Sequence, residues 1–139
     1  MKPKRKAREA CLQVLFQREF HESTNAEELF SAFADNFILD DEVRDYALHL
    51  TQGVLNKEQD INAIIERYST NWRLDRMASI DRILLQIAIF ELCFIDDLQT
   101  PAKICMSDII DLAKKYSSEE SKNFINGILD QVYQKEVGA

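Results

Sequence analysis

The sequence predicts an all-α protein that forms a single compact domain of about seven helices, spanning residues 1–139. Three Gly and two Pro among 139 residues leave little material for tight hairpins. Apolar residues recur at three-to-four spacing, and no strand-like alternation of useful length appears. This length suits one domain that buries roughly two-thirds of the surface of its unfolded chain.

Three helices are predicted in the first part of the chain. Pro3 opens helix one, since its missing N–H falls among the unpaired donors of the first turn; its apolar face holds Ala10, Cys11, Val14, Leu15 and Phe20. A capping box from Thr24 to Glu27 starts helix two, with Leu29, Phe30 and Phe33. Asp40 caps helix three, with Val43, Tyr46, Ala47, Leu50 and Val54 on its apolar face.

Four more helices are predicted to follow. Asp60 or its neighbours begin helix four, which Ser69 to Asn71 ends. Helix five, from Ile80 to Leu92, is apolar nearly all round, as expected of a central core helix. Pro101 starts helix six, and Ser117 or Ser118 caps helix seven.

The charge of the chain is strongly polarised. Five of its 17 Lys and Arg lie within the first eight residues, and the remaining 12 face 24 Asp and Glu. An N-terminal segment with five positive charges therefore precedes a remainder, residues 9–139, with a net charge of −12. Lys4, Arg5 and Arg8 are predicted to share an exposed face of helix one, which holds phosphate while the body repels nucleic acid elsewhere.

The sequence contains few candidate catalytic residues, and we expect a protein that is not an enzyme and needs no cofactor. His21 and His49 lack metal-ligand spacing, and three Gly do not form a phosphate-binding loop. Cys11, Cys93 and Cys105 are odd in number without CxxC spacing, which predicts buried free thiols in a reducing compartment. With no membrane span and no secretory signal pattern, a cytoplasmic location is expected.

Binding of single-stranded RNA is the function that the charge pattern favours. Readers of double-stranded DNA insert a helix that carries base-reading side chains, whereas no internal helix here has more than a few basic residues. Single-stranded RNA requires a basic track beside surfaces for unstacked bases. The N-terminal arm and a second cluster at Arg73 and Arg76 supply such a track.

Five segments of the chain form a recognisable set that runs nearly from end to end. They are RKAREACLQVLFQ (Arg5–Gln17), WRLDR (Trp72–Arg76), DRILLQIAIFEL (Asp81–Leu92), LAKKY (Leu112–Tyr116) and SKNFINGILD (Ser121–Asp130). In this order they resemble the NusB family of bacterial transcription antitermination factors. Two segments depart from the family pattern, Ser107-Asp108-Ile109 in helix six and the acidic Asp96-Asp97 after helix five.

The resemblance implies a fold of two small packed helical bundles and binding of boxA RNA together with NusE, a ribosomal protein. It also implies association with other Nus factors and RNA polymerase in the elongation complex, and antitermination of ribosomal RNA operons. Combined with the charge pattern, it predicts that the RNA-binding residues are Lys2, Lys4, Arg5, Lys6, Arg8, Arg73 and Arg76. The RNA or partner surface is predicted at Glu120, Lys122 and Phe124.

Some alternatives stay open at the level of sequence. The chain could act as a helical protein–protein interaction scaffold without specific RNA binding, and its free form could be a monomer or a homodimer. Gly127 inside a helix indicates close helix packing or the approach of a partner, and we expect packing. Phe124 has the spacing of a core residue with Ile128, and only the resemblance makes it a binding residue.

Overall fold

The computed structural model describes residues 3–20, 25–34, 40–69, 77–95 and 100–138, except the side chains of residues 26, 33 and 34. Seven α-helices and no strand occur in these ranges, which confirms the all-α prediction and the number of helices. They are α1 (Pro3–Gln17), α2 (Ala26–Ala34), α3 (Asp41–Asn56), α4 (Glu58–Tyr68), α5 (Ser79–Phe94), α6 (Ala102–Tyr116) and α7 (Glu119–Val132). A 3₁₀ turn, Arg18–Phe20, follows α1, and a π-helical segment, Tyr133–Val137, follows α7.

The chain divides into two compact units, Met1–Asn56 and Lys57–Ala139. The first unit contains α1, α2 and α3, with α1 packed mainly along α3. These helices share a hydrophobic core that contains Ala7, Ala10, Val14, Leu29, Phe30, Val43 and Ala47. Thr51 adds a buried hydroxyl that donates a hydrogen bond to the Ala47 carbonyl at 2.8 Å and lies 3.4 Å from Cys11 Sγ.

The second unit is built around α5, as its composition predicts. Residues 83–92 of this helix are all buried, and α4, α6 and α7 pack against it. Two polar side chains within this stretch have hydrogen-bond partners: Gln86 Nε2 donates to Asn62 Oδ1 at 2.9 Å, and Glu91 Oε2 accepts a weak bond from Cys105 Sγ at 3.9 Å. A nearly all-apolar helix is therefore enclosed by three amphipathic ones.

Two helix starts differ from the sequence predictions. The cap of α2 is Asn25, whose Oδ1 accepts the Glu28 N–H at 3.0 Å, whereas the predicted Thr24 lies outside the described residues. Asn is as common a capping residue as Ser and Asp, because its side-chain oxygen also accepts a hydrogen bond from a backbone N–H of the first turn. Helix α4 begins at Glu58, two residues before Asp60, directly after α3 ends at Asn56.

Two packing predictions were wrong. Phe20 is 68% exposed and contacts Phe16 edge-to-face at 5.4 Å between ring centroids. Gly127 is exposed, and a Cβ placed on it would have no neighbour within 4 Å among the described residues, so none of the described helices packs closely there. Position in a helical pattern does not tell which neighbours the fold supplies.

The three cysteines are free thiols, as predicted, but they differ in burial. Cys11 and Cys105 are buried, whereas Cys93 is half-buried. Desolvation, with a contribution from the negative charge of Glu136, raises the pKa of Cys93 to about 11. In the described ranges, no helix is long and apolar enough to cross a membrane.

Candidate nucleic-acid and partner interface

The first candidate surface is the basic turn, defined as Lys4, Arg5 and Lys6 in the first turn of α1. Lys6 is exposed, and Lys4 and Arg5 are half-buried. This turn contains no acidic residue, although carboxylates are the side chains that a helix N-terminus normally favours. Three cations thus add to the positive end of the helix dipole, an arrangement that costs helix stability and attracts phosphate.

Arg8 does not belong to this exposed surface, contrary to the sequence prediction. Its side chain is fully buried, with 0% exposure. Cys11, Leu12 and Leu15 follow Arg8 at i+3, i+4 and i+7, and all three are buried. Arg8 therefore lies on the apolar face of α1. Its spacing from these residues predicts burial, whereas the prediction of exposure was based on its charge.

The second candidate surface is the α5–α7 groove, an open cavity of about 240 Å³ in the second unit. It joins residues just before and within the first turn of α5 to the first two turns of α7. Its lining consists of Met77, Ala78, Asp81, Ser118, Glu120, Ser121 and Phe124. An apolar floor is thereby combined with carboxylate and hydroxyl groups.

Asp81 is the polar centre of the α5–α7 groove. Its side chain is 6% exposed, and Ser121 Oγ donates a hydrogen bond of 2.8 Å to its Oδ2. The other oxygen, Oδ1, is buried without a hydrogen-bond partner in the structure of the described residues. A buried acceptor without a partner costs free energy.

The start of α7 holds the opposite wall of the groove in place. Ser118 has extended backbone geometry, and its Oγ accepts the Ser121 N–H at 3.0 Å, which confirms the predicted capping serine. This cap fixes Ser121 next to Asp81. Neither Asp81 nor Ser121 was predicted from the sequence as a binding residue, since 40 positions separate them and only the fold brings them into contact.

The predicted RNA or partner residues on α7 fall into two groups. Glu120, which is exposed, and Phe124, which is half-buried, both line the groove. Lys122 is absent from its lining and instead forms an ion pair with Glu119 at 3.1 Å. Glu120 and Phe124 are four positions apart, so both lie on the face of α7 that lines the groove.

Other predicted residues lie outside the part of the chain that the structure describes. They are Lys2, Arg73 and Arg76, together with the acidic departure at Asp96 and Asp97. The other departure, Ser107-Asp108-Ile109, lies inside α6, where Asp108 and Ile109 are buried and Ser107 is exposed. Among the described side chains, no group of three or more His, Cys, Asp or Glu is arranged to hold a metal ion.

Comparison with known proteins decides the family. The model of the NusB family matches residues 5–134, which is nearly the whole chain. The chain belongs to the NusB family. The transcription antitermination protein NusB of Myxococcus xanthus is 40% identical over 135 residues, and the match covers 95% of each chain.

Solved NusB structures have the same fold. NusB of T. maritima superposes with a TM-score of 0.88 at 31% identity, covering 99% of this chain and 94% of that one. A complex of the antitermination factors NusB and NusE with double-stranded RNA gives a TM-score of 0.84 at 27% identity, covering 96% of this chain and 98% of its counterpart. The predicted family resemblance and the all-helical NusB fold are confirmed.

Proposed function

We propose that this chain is an RNA-binding transcription factor that binds boxA-like single-stranded RNA together with NusE and supports antitermination of ribosomal RNA operons. The observation that carries the proposal is the basic turn, which is cationic in a chain with a net charge of −7. A solved NusB structure is a complex with NusE and double-stranded RNA, which supports both partners. We propose a binding role without catalysis, exerted with other Nus factors on elongating RNA polymerase.

RNA phosphate is the ligand that the basic turn fits. Exposed Lys6 and half-buried Lys4 and Arg5 lie where first-turn N–H groups and the helix dipole add positive potential. The acidic remainder of the chain opposes long non-specific contacts, which localises the polyanion at this turn. Lys2, Arg73 and Arg76 stay proposed RNA-binding residues, whereas Arg8 is buried within α1.

The α5–α7 groove fits a basic protein partner. Its lining contains the carboxyl groups of Glu120 and Asp81, and the half-buried ring of Phe124 supplies an apolar contact. Lys and Arg donors on a partner protein match this lining. We therefore assign Glu120 and Phe124 to NusE and place Lys122 at the edge of the contact.

A salt titration of RNA binding tests the first surface. If the basic track neutralises about four phosphates, log affinity for labelled single-stranded boxA-like RNA falls with log salt at a slope of about −3. Lys6→Ala is expected to make this slope shallower by about 0.7. The matched control Lys103→Ala, which removes an exposed lysine from α6, should leave the slope unchanged. Equal effects of the two variants, or preferential binding of a duplex of the same sequence, contradict the proposal.

Measurements with purified NusE test the second surface. Glu120→Lys should weaken NusE binding while RNA binding by the free chain is retained, at a stability cost of at most about 1 kcal/mol. Glu66→Lys, on an exposed position of α4, is the control for the change in charge. Loss of RNA and NusE binding to the same extent would overturn the division into two surfaces. NusE binding without any RNA binding would identify an interaction scaffold, and native mass spectrometry would show whether the free chain is a homodimer.

A further inference from the structure

An open cleft of about 540 Å³ lies between the start of α1 and the N-terminal half of α3, within the first unit. Lys4 forms part of one wall. The facing wall comes from Glu42, Asp45, Tyr46 and His49 of α3, whose spacing places them on one face of that helix. An aromatic and acidic surface thus lies directly beside the basic turn.

Lys4 already occupies this surface. Its Nζ atom lies 5.2 Å from the centroid of the Tyr46 ring, the geometry of a cation–π contact, and the side chain is half-buried. Glu42 and Asp45 line the same cleft and add a negative potential that favours the ammonium group. The cleft and RNA therefore present the same groups to a cation, namely negative charge and the face of an aromatic ring.

We propose that this cleft is an intramolecular acceptor that competes with RNA phosphate for Lys4, with Tyr46 as the residue that positions the ammonium group. The proposal rests on the RNA-binding function proposed above. In the free protein, the Lys4 ammonium group lies over the Tyr46 ring in a cleft that Glu42 and Asp45 also line. The Lys4 ammonium group must leave the Tyr46 ring before it can bind a phosphate, so the cleft lowers the affinity for RNA. Binding is then limited to strands that also contact other cations of the protein.

Removal of the ring gives a prediction with a definite sign. An exposed cation–π contact shifts an equilibrium by about two- to fivefold, so Tyr46→Leu should raise the affinity for boxA-like RNA by that factor. It should also steepen the salt slope by about 0.7, because one more cation becomes available to phosphate. Tyr46→Phe retains the ring and should bind RNA as the wild type does. A change in fold stability alone would not steepen the salt slope.

A double-mutant cycle shows whether the effect passes through Lys4. In a Lys4→Ala background, Tyr46→Leu should produce no gain in affinity. Glu42→Gln and Asp45→Asn should each raise affinity more in the presence of Lys4 than in its absence, which tests the cleft without removing an aromatic side chain. Tyr116→Leu is the matched control, since it removes a similar contact in the second unit, where Lys115 Nζ lies 5.3 Å from the ring.

The outcomes separate this proposal from the function on which it rests. If the wild-type protein binds no boxA-like RNA, the proposed function is wrong. If the wild type binds with a measurable salt slope, the competition is overturned by any of three results. These are an unchanged or lower affinity of Tyr46→Leu, a gain that persists without Lys4, and an equal gain in Tyr116→Leu. Should Tyr46→Leu fail to fold, the Glu42 and Asp45 variants decide by the same criterion.

Discussion

Glu136 accepts a hydrogen bond of 2.6 Å from Arg67 Nη1, which ties the C-terminal π-helical segment to the end of α4. The same carboxylate oxygen accepts a hydrogen bond from the Tyr68 hydroxyl. Both contacts favour the ionised carboxylate and lower the pKa of Glu136 below its ordinary 4.5, with the Tyr68 hydroxyl as the larger cause. The last segment of the fold is thus held by a charged group.

The stability of the protein should therefore depend on the charge of Glu136 in acid. Because the folded-state pKa is lowered, the stabilisation is complete above pH 4.5 and is lost as the pH falls through the folded pKa. Glu136→Gln should flatten the decline in the free energy of unfolding below pH 4.5. Urea denaturation at a series of pH values measures this, and Glu66→Gln, which removes an exposed carboxylate from α4, is the control. Parallel pH profiles for wild type and Glu136→Gln would contradict the linkage.

Substitution of Gly127 should stabilise the protein. Glycine within a helix costs up to about 1 kcal/mol relative to alanine, and a Cβ at this position meets no atom of the described residues within 4 Å. Gly127→Ala should raise the free energy of unfolding by about 0.5–1 kcal/mol, and Gly127→Leu should also be tolerated. Thermal unfolding checks both, and a clear loss of stability in either would restore the close-packing interpretation.

The two adjacent serines before α7 should differ in their effect on stability. Ser118→Ala removes the hydroxyl that accepts the Ser121 N–H and should cost about 1 kcal/mol. Ser117→Ala changes an exposed neighbour at the end of α6 and should cost less than about 0.5 kcal/mol. Chemical denaturation of both variants provides the comparison. Equal losses would mean that the cap does not stabilise α7.

Arg8 and Lys6 should separate folding from RNA binding. Arg8→Ala truncates a fully buried, interacting side chain and should destabilise the protein by more than about 2 kcal/mol. Lys6→Ala alters an exposed side chain and should change stability by less than about 0.5 kcal/mol while it weakens RNA binding. Unfolding curves measured beside RNA titrations test the pair. A fully stable Arg8→Ala protein with impaired RNA binding would place Arg8 at the RNA surface.

Local physical chemistry determined the helices of this protein. Apolar spacing identified all seven, and the near-continuous apolar run of α5 identified the core helix, because helix periodicity and caps depend on residues a few positions apart. The cap at Ser118 and the cations of the basic turn are equally local features. The sequence order of these elements also carried the family resemblance, which the family match confirmed.

Only the tertiary structure decided which side chains meet across the fold. Asp81 and Ser121 build the α5–α7 groove from positions 40 residues apart, and Lys4 reaches the Tyr46 ring from another helix. The prediction for Arg8 was wrong because it relied on the charge of the side chain, although its helical position indicates burial. The prediction for Gly127 was wrong because the sequence pattern does not show how much space surrounds a residue. Burial and contact depend on what packs opposite each residue, and that neighbour is set by the path of the whole chain.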